Sequence, residues 1–359
     1  RKIRDLKVGD IISSATTGRQ QRIIWLHPIE EHDYYRIHFI DGTHYDCSSG
    51  HLWQLHLSRK RTKRKDAEGN VCNERIWSAR MIHDWICRKK SGMYKGMNLI
   101  IPLCAPVQFT VGNRYKQTKP IEPYVLGALL GDGCITRSVI EANAVQLTTM
   151  DDEIVQKFMQ YGYDMGHSQA KAGSRAKSYM IYNRTLVEAL CNLKLSGCDS
   201  SNKFIPDQYK LATIEERKRL IQGIMDTDGY VDERGHISYC TTSRRLADDV
   251  AFIIRSLGGI ATVKRNPSGY RDRSGCRVKC NDSYDVYIRT RMNPDLVCLS
   301  RKRCRCRHEY NGGVSELGKR IVDAEYIGKR EGRCITVDEP CGLYITDNFT
   351  VTHNSYIGS

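Results

Sequence analysis

The chain has 359 residues, 56 Lys and Arg against 41 Asp and Glu, and a formal net charge of +15. That length accommodates two domains, and 40% hydrophobic with 27% charged residues is the balance of a soluble globular protein. No run of eighteen apolar residues occurs and the basic N-terminus lacks an apolar signal core, so neither a membrane partner nor a secretory leader is expected.

The positive excess favours a polyanionic partner, nucleic acid first. Fifteen cysteines, an odd number without a signal peptide, read as reduced thiols in an intracellular, cytoplasmic protein. Cys298, Cys304, Cys306 and His308 cluster late in the chain without paired zinc spacing, and the Arg and Lys between them repel a cation.

In chain order, strands are expected at Ile11–Ser13, Gln21–Leu26 and Tyr34–Ile40, with Asp41-Gly42 as a hairpin signal. THYDCSSGHLWQL follows, in which Ser48 precedes His51 by three and Trp53 follows it by two. An imidazole that donates to an amide nitrogen improves it as a leaving group, and a nearby hydroxyl holds the carbonyl. Residues 57–108 are a transition. It carries the basic run Arg59, Lys60, Arg61, Lys63, Arg64 and Lys65, a short amphipathic helix at Trp77–Arg88 and a strand at Asn98–Leu103.

From Pro120 an internal repeat appears. YVLGALLGDG (Tyr124–Gly133) and IQGIMDTDG (Ile221–Gly229) are apolar helical runs ending in Asp-Gly, each followed by a strand-rich segment with a Thr-rich turn. Gly127, Ala128 and Gly223 let two helices approach closely, which would bring Asp132 and Asp228 side by side at the helix ends. Two adjacent carboxylates repel unless a cation lies between them, and an oxygen-rich site of that kind suits Mg²⁺ and phosphodiester hydrolysis. Lys264 and Gln146 are candidate polar residues near such a site, and the basic run Arg301, Lys302, Arg303 through Arg307 a candidate phosphate contact.

After Gly312-Gly313 a helix is expected over Ser315–Glu325, then three short strands at Cys334–Val337, Leu343–Thr346 and Phe349–Thr352. The last strand ends on His353-Asn354-Ser355. The Asn354 amide can attack its own backbone carbonyl and cut the chain, with His353 moving protons and Ser355 Oγ as an acyl acceptor.

The repeat resembles the single-chain LAGLIDADG homing endonucleases over roughly Pro120–Arg307; the second copy is close to the family pattern, while the first has Leu130-Gly131 before its Asp. The resemblance implies a pseudo-twofold αββαββα repeat, two antiparallel sheets over double-stranded DNA, Mg²⁺ held by Asp132 and Asp228, and a monomer. Lys203, in NKFIP, fits a linker motif of these enzymes.

The two ends resemble an intein of the Hint (Hedgehog/intein) splicing fold. Trp53, Cys334 and Thr352 together resemble the class 3 inteins, in which an internal Cys attacks the N-terminal junction directly. Cys334 is then the nucleophile, against a reading as a buried structural Cys, with Cys341 as its competitor. The opening strand of an intein is absent before Arg1, leaving a trimmed, cleaved or split chain open.

These resemblances imply a β-rich Hint horseshoe interrupted by an α+β endonuclease. Residues 1–108 and 318–354 form the splicing domain, 109–317 the endonuclease, and 355–359 a remnant of the host protein, whose flanking exteins are the splicing partners. Splicing needs no cofactor. The alternatives are a DNA-binding or DNA-cleaving protein without splicing, or an intein with a degenerate endonuclease.

Overall fold

The computed structural model describes residues 2–59, 74–94, 96–109, 119–166, 168–170, 173, 175–267, 269–271, 277–279, 281–306 and 317–354. Of the expected features, Lys60–Lys65, Arg307, His308, Gly312-Gly313 and Ser355 lie outside those residues. The chain divides into two units, 1–110 with 255–260 and 310–359, and 111–254 with 261–309.

The first unit begins with β1 (Ile11–Ser13), β2 (Gln20–Leu26), β3 (Glu30–Phe39), β4 (His44–Ser48), β5 (Leu52–Arg59) and β6 (Glu74–Ser78). Helix α1 (Ala79–Lys90) and β7 (Met97–Pro102) follow. Asp41-Gly42 turns β3 back on β4 as the sequence predicts, with Tyr34 opposite Ser48 and His38 opposite His44. Ser78 caps α1 by accepting from the Met81 N–H at 3.3 Å, and the helix buries Ala79, Ile82, Trp85 and Ile86 on one face.

The second unit runs α2 (Pro123–Gly131), β8 (Gly133–Cys134), α3 (Arg137–Glu141), β9 (Ala144–Thr149), α4 (Asp152–Gln160), β10 (Ser168–Ala170), β11 (Lys177–Tyr182) and α5 (Arg184–Asn192). After α6 (Asp207–Lys210) the pattern repeats with α7 (Ile214–Thr227), β12 (Gly229–Val231), β13 (Ile237–Thr241), α8 (Arg244–Ser256) and β14 (Ile260–Asn266). The short pair β15 (Gly269–Arg271) and β16 (Arg277–Lys279), then β17 (Ser283–Arg289) and α9 (Ser300–Arg303), complete it.

The two four-stranded sheets, β10-β11-β9-β8 and β14-β17-β13-β12, share one order. The sequence repeat is therefore a structural repeat. The segments after the Thr-rich turns are helices α4 and α8, not further strand. Their apolar residues recur at helical spacing, burying Ile154 and Phe158 in α4 and Val250, Ile253 and Ile254 in α8.

Returning to the first unit, β18 (Gly318–Gly332), β19 (Ile335–Val337), β20 (Leu343–Ile345) and β21 (Val351–His353) close it. The expected helix over Ser315–Glu325 is corrected here. From Gly318 the segment is strand, because β3 and β7 offer it open edges: Ile321 pairs with Phe39, Gly332 with Glu30, and Gly318 with Pro102. Its place in the sheet order β4-β3-β18-β7-β5-β6 interleaves the two ends of the chain. Strand β19 does the same beside β2 in a three-stranded sheet.

A buried ion pair locks this interleaving. Lys319 Nζ lies 3.3 Å from Asp41 Oδ2 and donates to Thr43 Oγ1 and Thr350 Oγ1, each at 2.9 Å. Burial pushes Asp41 up, but the Lys319 charge and the Thr43 bonds outweigh it and hold its carboxyl below the usual range. Burial lowers Lys319 to about 8, so the pair is charged at neutral pH. Removing one partner strands the other charge in the interior, which typically costs about 3–5 kcal/mol. Lys319→Met should therefore lower stability by roughly 3 kcal/mol or more in urea unfolding. The double variant Asp41→Asn with Lys319→Met should recover a large part of that loss.

Candidate functional site

In the second unit, α2 and α7 pack through their glycines. A Cβ on Gly127 would lie 3.1 Å from Ile224 N, and one on Gly223 would lie 2.7 Å from Ala128 N. Only glycine allows this approach. Each helix ends at its C-cap aspartate, Asp132 and Asp228, and the next residue starts β8 and β12. Asp228 Oδ2 is 3.4 Å from the position a Cβ would take on Gly131, and the Asp228 charge acts on Asp132, so the two aspartates are neighbours.

Burial first, then the Asp228 charge, pushes Asp132 up to about 6. Surrounding protein pushes Asp228 up as well, while Lys203 and Lys302 pull it down. Asp228 is exposed and Asp132 half-buried.

Lys302 corrects the expectation of a phosphate contact, and Lys203 of the NKFIP segment is placed in the same way. Both are 5% exposed. Lys203 Nζ donates to the carbonyls of Leu129, Gly131 and Gly133 at 3.0, 3.1 and 2.7 Å. Lys302 Nζ donates to those of Met225, Asp226 and Thr227 at 2.7, 2.7 and 3.1 Å. Leu129 and Gly131 occupy the same repeat positions as Met225 and Thr227. Each lysine thus satisfies orphan carbonyls at the end of one aspartate-bearing helix and brings positive charge toward the pair.

Arg301 makes a two-point ion pair with Asp151 at 2.7 Å, and Arg303 is exposed. Lys264 is exposed on β14. Gln146 is half-buried on β9, opposite Cys134 and Met180.

Asp226 is a site residue that sequence reasoning missed. Buried two residues before Asp228, it accepts from Tyr124 Oη at 2.8 Å and from the Cys298 and Leu299 N–H groups at 2.8 and 3.0 Å. It ties α2 and the entry to α9 onto α7. The first acid of DTDG was the available signal.

In the first unit, His51 precedes β5 and its Nε2 meets Thr352 Oγ1 on β21 in a buried hydrogen bond. Trp53 is fully buried, its ring 5.4 Å from that of His51 and 5.4 Å from that of Tyr45. Ser48 is half-buried at the end of β4, with its carbonyl accepting from the His51 N–H at 3.0 Å.

His353 Nδ1 contacts the Asn354 carbonyl oxygen, and the Asn354 N–H donates to the Gly342 carbonyl at 2.8 Å. Cys334 is half-buried ahead of β19, near Tyr34, Tyr45, Tyr344 and Cys47. Cys341 is exposed. His51, Trp53, Thr352, His353 and Asn354 are thus gathered at one place, with Ser48 adjoining through its backbone.

Burial, reinforced by the His353 charge, lowers His51 to about 4. It is therefore a neutral imidazole at neutral pH.

Residues 215–293 match the family model described as a LAGLIDADG-like domain. Along 369 aligned residues the chain is 27% identical to a replicative DNA helicase DnaB of Mycobacterium intracellulare, covering 99% of this chain and 56% of that protein. It thus spans about half the length of that relative. It is 28% identical over 150 residues to the homothallic switching endonuclease of Saccharomyces cerevisiae, covering 40% of this chain and 25% of the yeast protein.

Among solved structures, the homing endonuclease I-WcaI bound to its DNA recognition sequence is 13% identical with a TM-score of 0.32, covering 56% of this chain and 96% of that one. I-DmoI in complex with DNA and Ca is 14% identical with a TM-score of 0.33, covering 52% and 96%.

The His51 shift fixes a pH dependence. Its pKa is about 4 in the fold against 6.5 in the open chain, so the folded state binds fewer protons between those values. Its contribution is neutral above pH 7, turns destabilising as pH falls through 6.5, and is complete by about pH 4, amounting to roughly 3 kcal/mol. Urea unfolding of the wild type across pH 7 to 4 should show this loss relative to a His51→Gln variant, which lacks the titrating ring.

Proposed function

We propose that the chain is an intein: a Hint-type splicing domain from residues 1–108 and 318–354, carrying a LAGLIDADG homing endonuclease at 109–317. Paired carboxylates at two glycine-packed helix ends support the nuclease. His353 against the Asn354 carbonyl supports the splicing centre. The likeness to DnaB over nearly the whole chain supports a host protein of that kind, and the flanking host segments are the splicing partners.

For the endonuclease, the substrate is double-stranded DNA of the uninterrupted host gene. Asp132 and Asp228 fit a divalent cation, since the Asp228 charge adds to burial in raising Asp132, and positive charge between neighbouring carboxylates relieves that repulsion. Mg²⁺ bound there supplies charge to the reacting phosphodiester oxygens. Lys203 and Lys302 hold the two helix ends in place, and exposed Lys264 and Arg303 face the polyanion. Replacing either Asp132 or Asp228 by Asn should abolish double-strand cleavage while changing DNA affinity only a few fold, because affinity comes from phosphate contacts elsewhere. Cleavage at the wild-type rate in either variant would remove the nuclease assignment.

For splicing, the class 3 order is the one supported by Trp53, Cys334 and Thr352. Cys334 attacks the N-terminal junction while His51 donates to the departing amide nitrogen, and Ser48 holds the carbonyl. The acyl group passes to Ser355, and Asn354 cyclises with His353 at its carbonyl. In a precursor flanked by host sequence, Cys334→Ala should block N-terminal cleavage and splicing, and Asn354→Ala should accumulate a branched intermediate visible by gel and mass. Survival of splicing in Cys334→Ala, together with dependence on a nucleophile at the N-terminal junction, would return Cys334 to a packing role.

A further inference from the structure

We propose that Gly342 is a positioning residue for the cyclisation of Asn354, its bare Cα forming the floor against which the Asn354 carboxamide is held for attack. The inference rests on the Asn354 reading above and adds a residue to it.

Gly342 closes the turn that begins at Asp338, its N–H donating to the Glu339 carbonyl at 2.9 Å. It has φ +64°, a left-handed conformation that costs an L side chain. The hairpin of β20 and β21 pairs Leu343 with His353. Gly342 therefore stands beside Asn354, one step beyond the ladder. Its carbonyl accepts the Asn354 N–H at 2.8 Å, which fixes the backbone of Asn354.

The side chain of Asn354 then folds over the glycine. A Cβ on Gly342 would run into the carboxamide oxygen, with the carboxamide carbon 2.8 Å away and its nitrogen 3.1 Å away. Asn354 is 8% exposed, so its amide has little freedom to move aside. Conformation and contact thus demand glycine separately.

The chemistry needs this restraint. Asn354 Nδ2 bonds to the Asn354 carbonyl carbon, and the bond from that carbon to the Ser355 nitrogen breaks. The proton lost by Nδ2 ends on the departing Ser355 amine. A five-membered succinimide remains, and no oxidant, reductant or water is consumed. Nδ2 must sit over its own carbonyl carbon for this, and a free asparagine spends little time there. His353 at the carbonyl oxygen stabilises the charge that develops. Gly342 holds the attacking end.

In a protein prepared as Arg1–Ser359, the reaction is read as loss of the pentapeptide Ser355–Ser359 by intact-mass spectrometry. Gly342→Ala should slow the loss at least tenfold. Exposed Cys341 directly precedes the glycine, so a synthetic Cys341–Ser359 segment can be joined by thioester ligation with D-alanine at 342. D-Alanine accepts positive φ and turns its methyl away from the carboxamide, and it should release the pentapeptide within about threefold of the wild-type rate.

Equal slowing by both epimers makes Gly342 a matter of general packing and overturns the proposal, as does a wild-type rate in Gly342→Ala. A wild-type chain that never loses the pentapeptide takes down the Asn354 reading and this inference together. If Gly342→Ala folds poorly, its melting temperature is compared in the Asn354→Ala background, where the collision is gone. The drop should shrink by half or more, and an unchanged drop overturns the contact.

Discussion

The contact between α2 and α7 is the constraint on which the second unit depends. With Gly127 and Gly223 at the crossing, the two backbones come closer than any side chain allows. Both aspartates are thereby delivered to one spot. Burial raises both carboxyls, and proximity adds an electrostatic cost, visible in the further upward push of the Asp228 charge on Asp132. That cost is met partly by two buried ammonium groups, each clasped by three main-chain carbonyls. Buried charge is tolerated here because it faces both carbonyl dipoles and carboxylates. The result is a preorganised negative site with its supports built into the helix ends.

The repeat is not symmetric in its clamps. The second copy carries Asp226, which gathers Tyr124 and the Cys298–Leu299 backbone. The first copy carries buried Leu130 at the same place. Burial raises Asp226, and its accepted bonds pull it back. It serves as an acceptor inside the protein, while Asp228, two residues on, faces outward.

In the first unit the comparable constraint is closure by distant segments. Strand β18 enters between β3 and β7, β19 lies on β2, and the His51–Thr352 bond joins the start of β5 to β21. The Lys319 ammonium reaches both Asp41 in the β3–β4 turn and Thr350 ahead of β21. The placing of His353 and Asn354 therefore depends on the same pairings that complete the sheet.

Several features were legible in the sequence because their causes are local. Asp-Gly after an apolar helical run marks a helix end, and two such runs mark a repeat. Asp41-Gly42 marks a hairpin. The small residues of the two runs even announced the helix contact that brings Asp132 and Asp228 together.

What tertiary structure decided is where long side chains and ambiguous segments end up. Lys302 reads as surface charge because lysine usually is, and NKFIP does not show what the Lys203 ammonium meets; their carbonyl partners lie 70 or more residues away in the chain. Gly318–Glu325 reads as helix by its own composition and becomes strand because two open edges satisfy its backbone on both sides. Gly342 reads as an ordinary turn glycine until β21 lays Asn354 across it. Propensity and motif are sums over neighbours in sequence, whereas burial, pairing and close approach are set by neighbours in space.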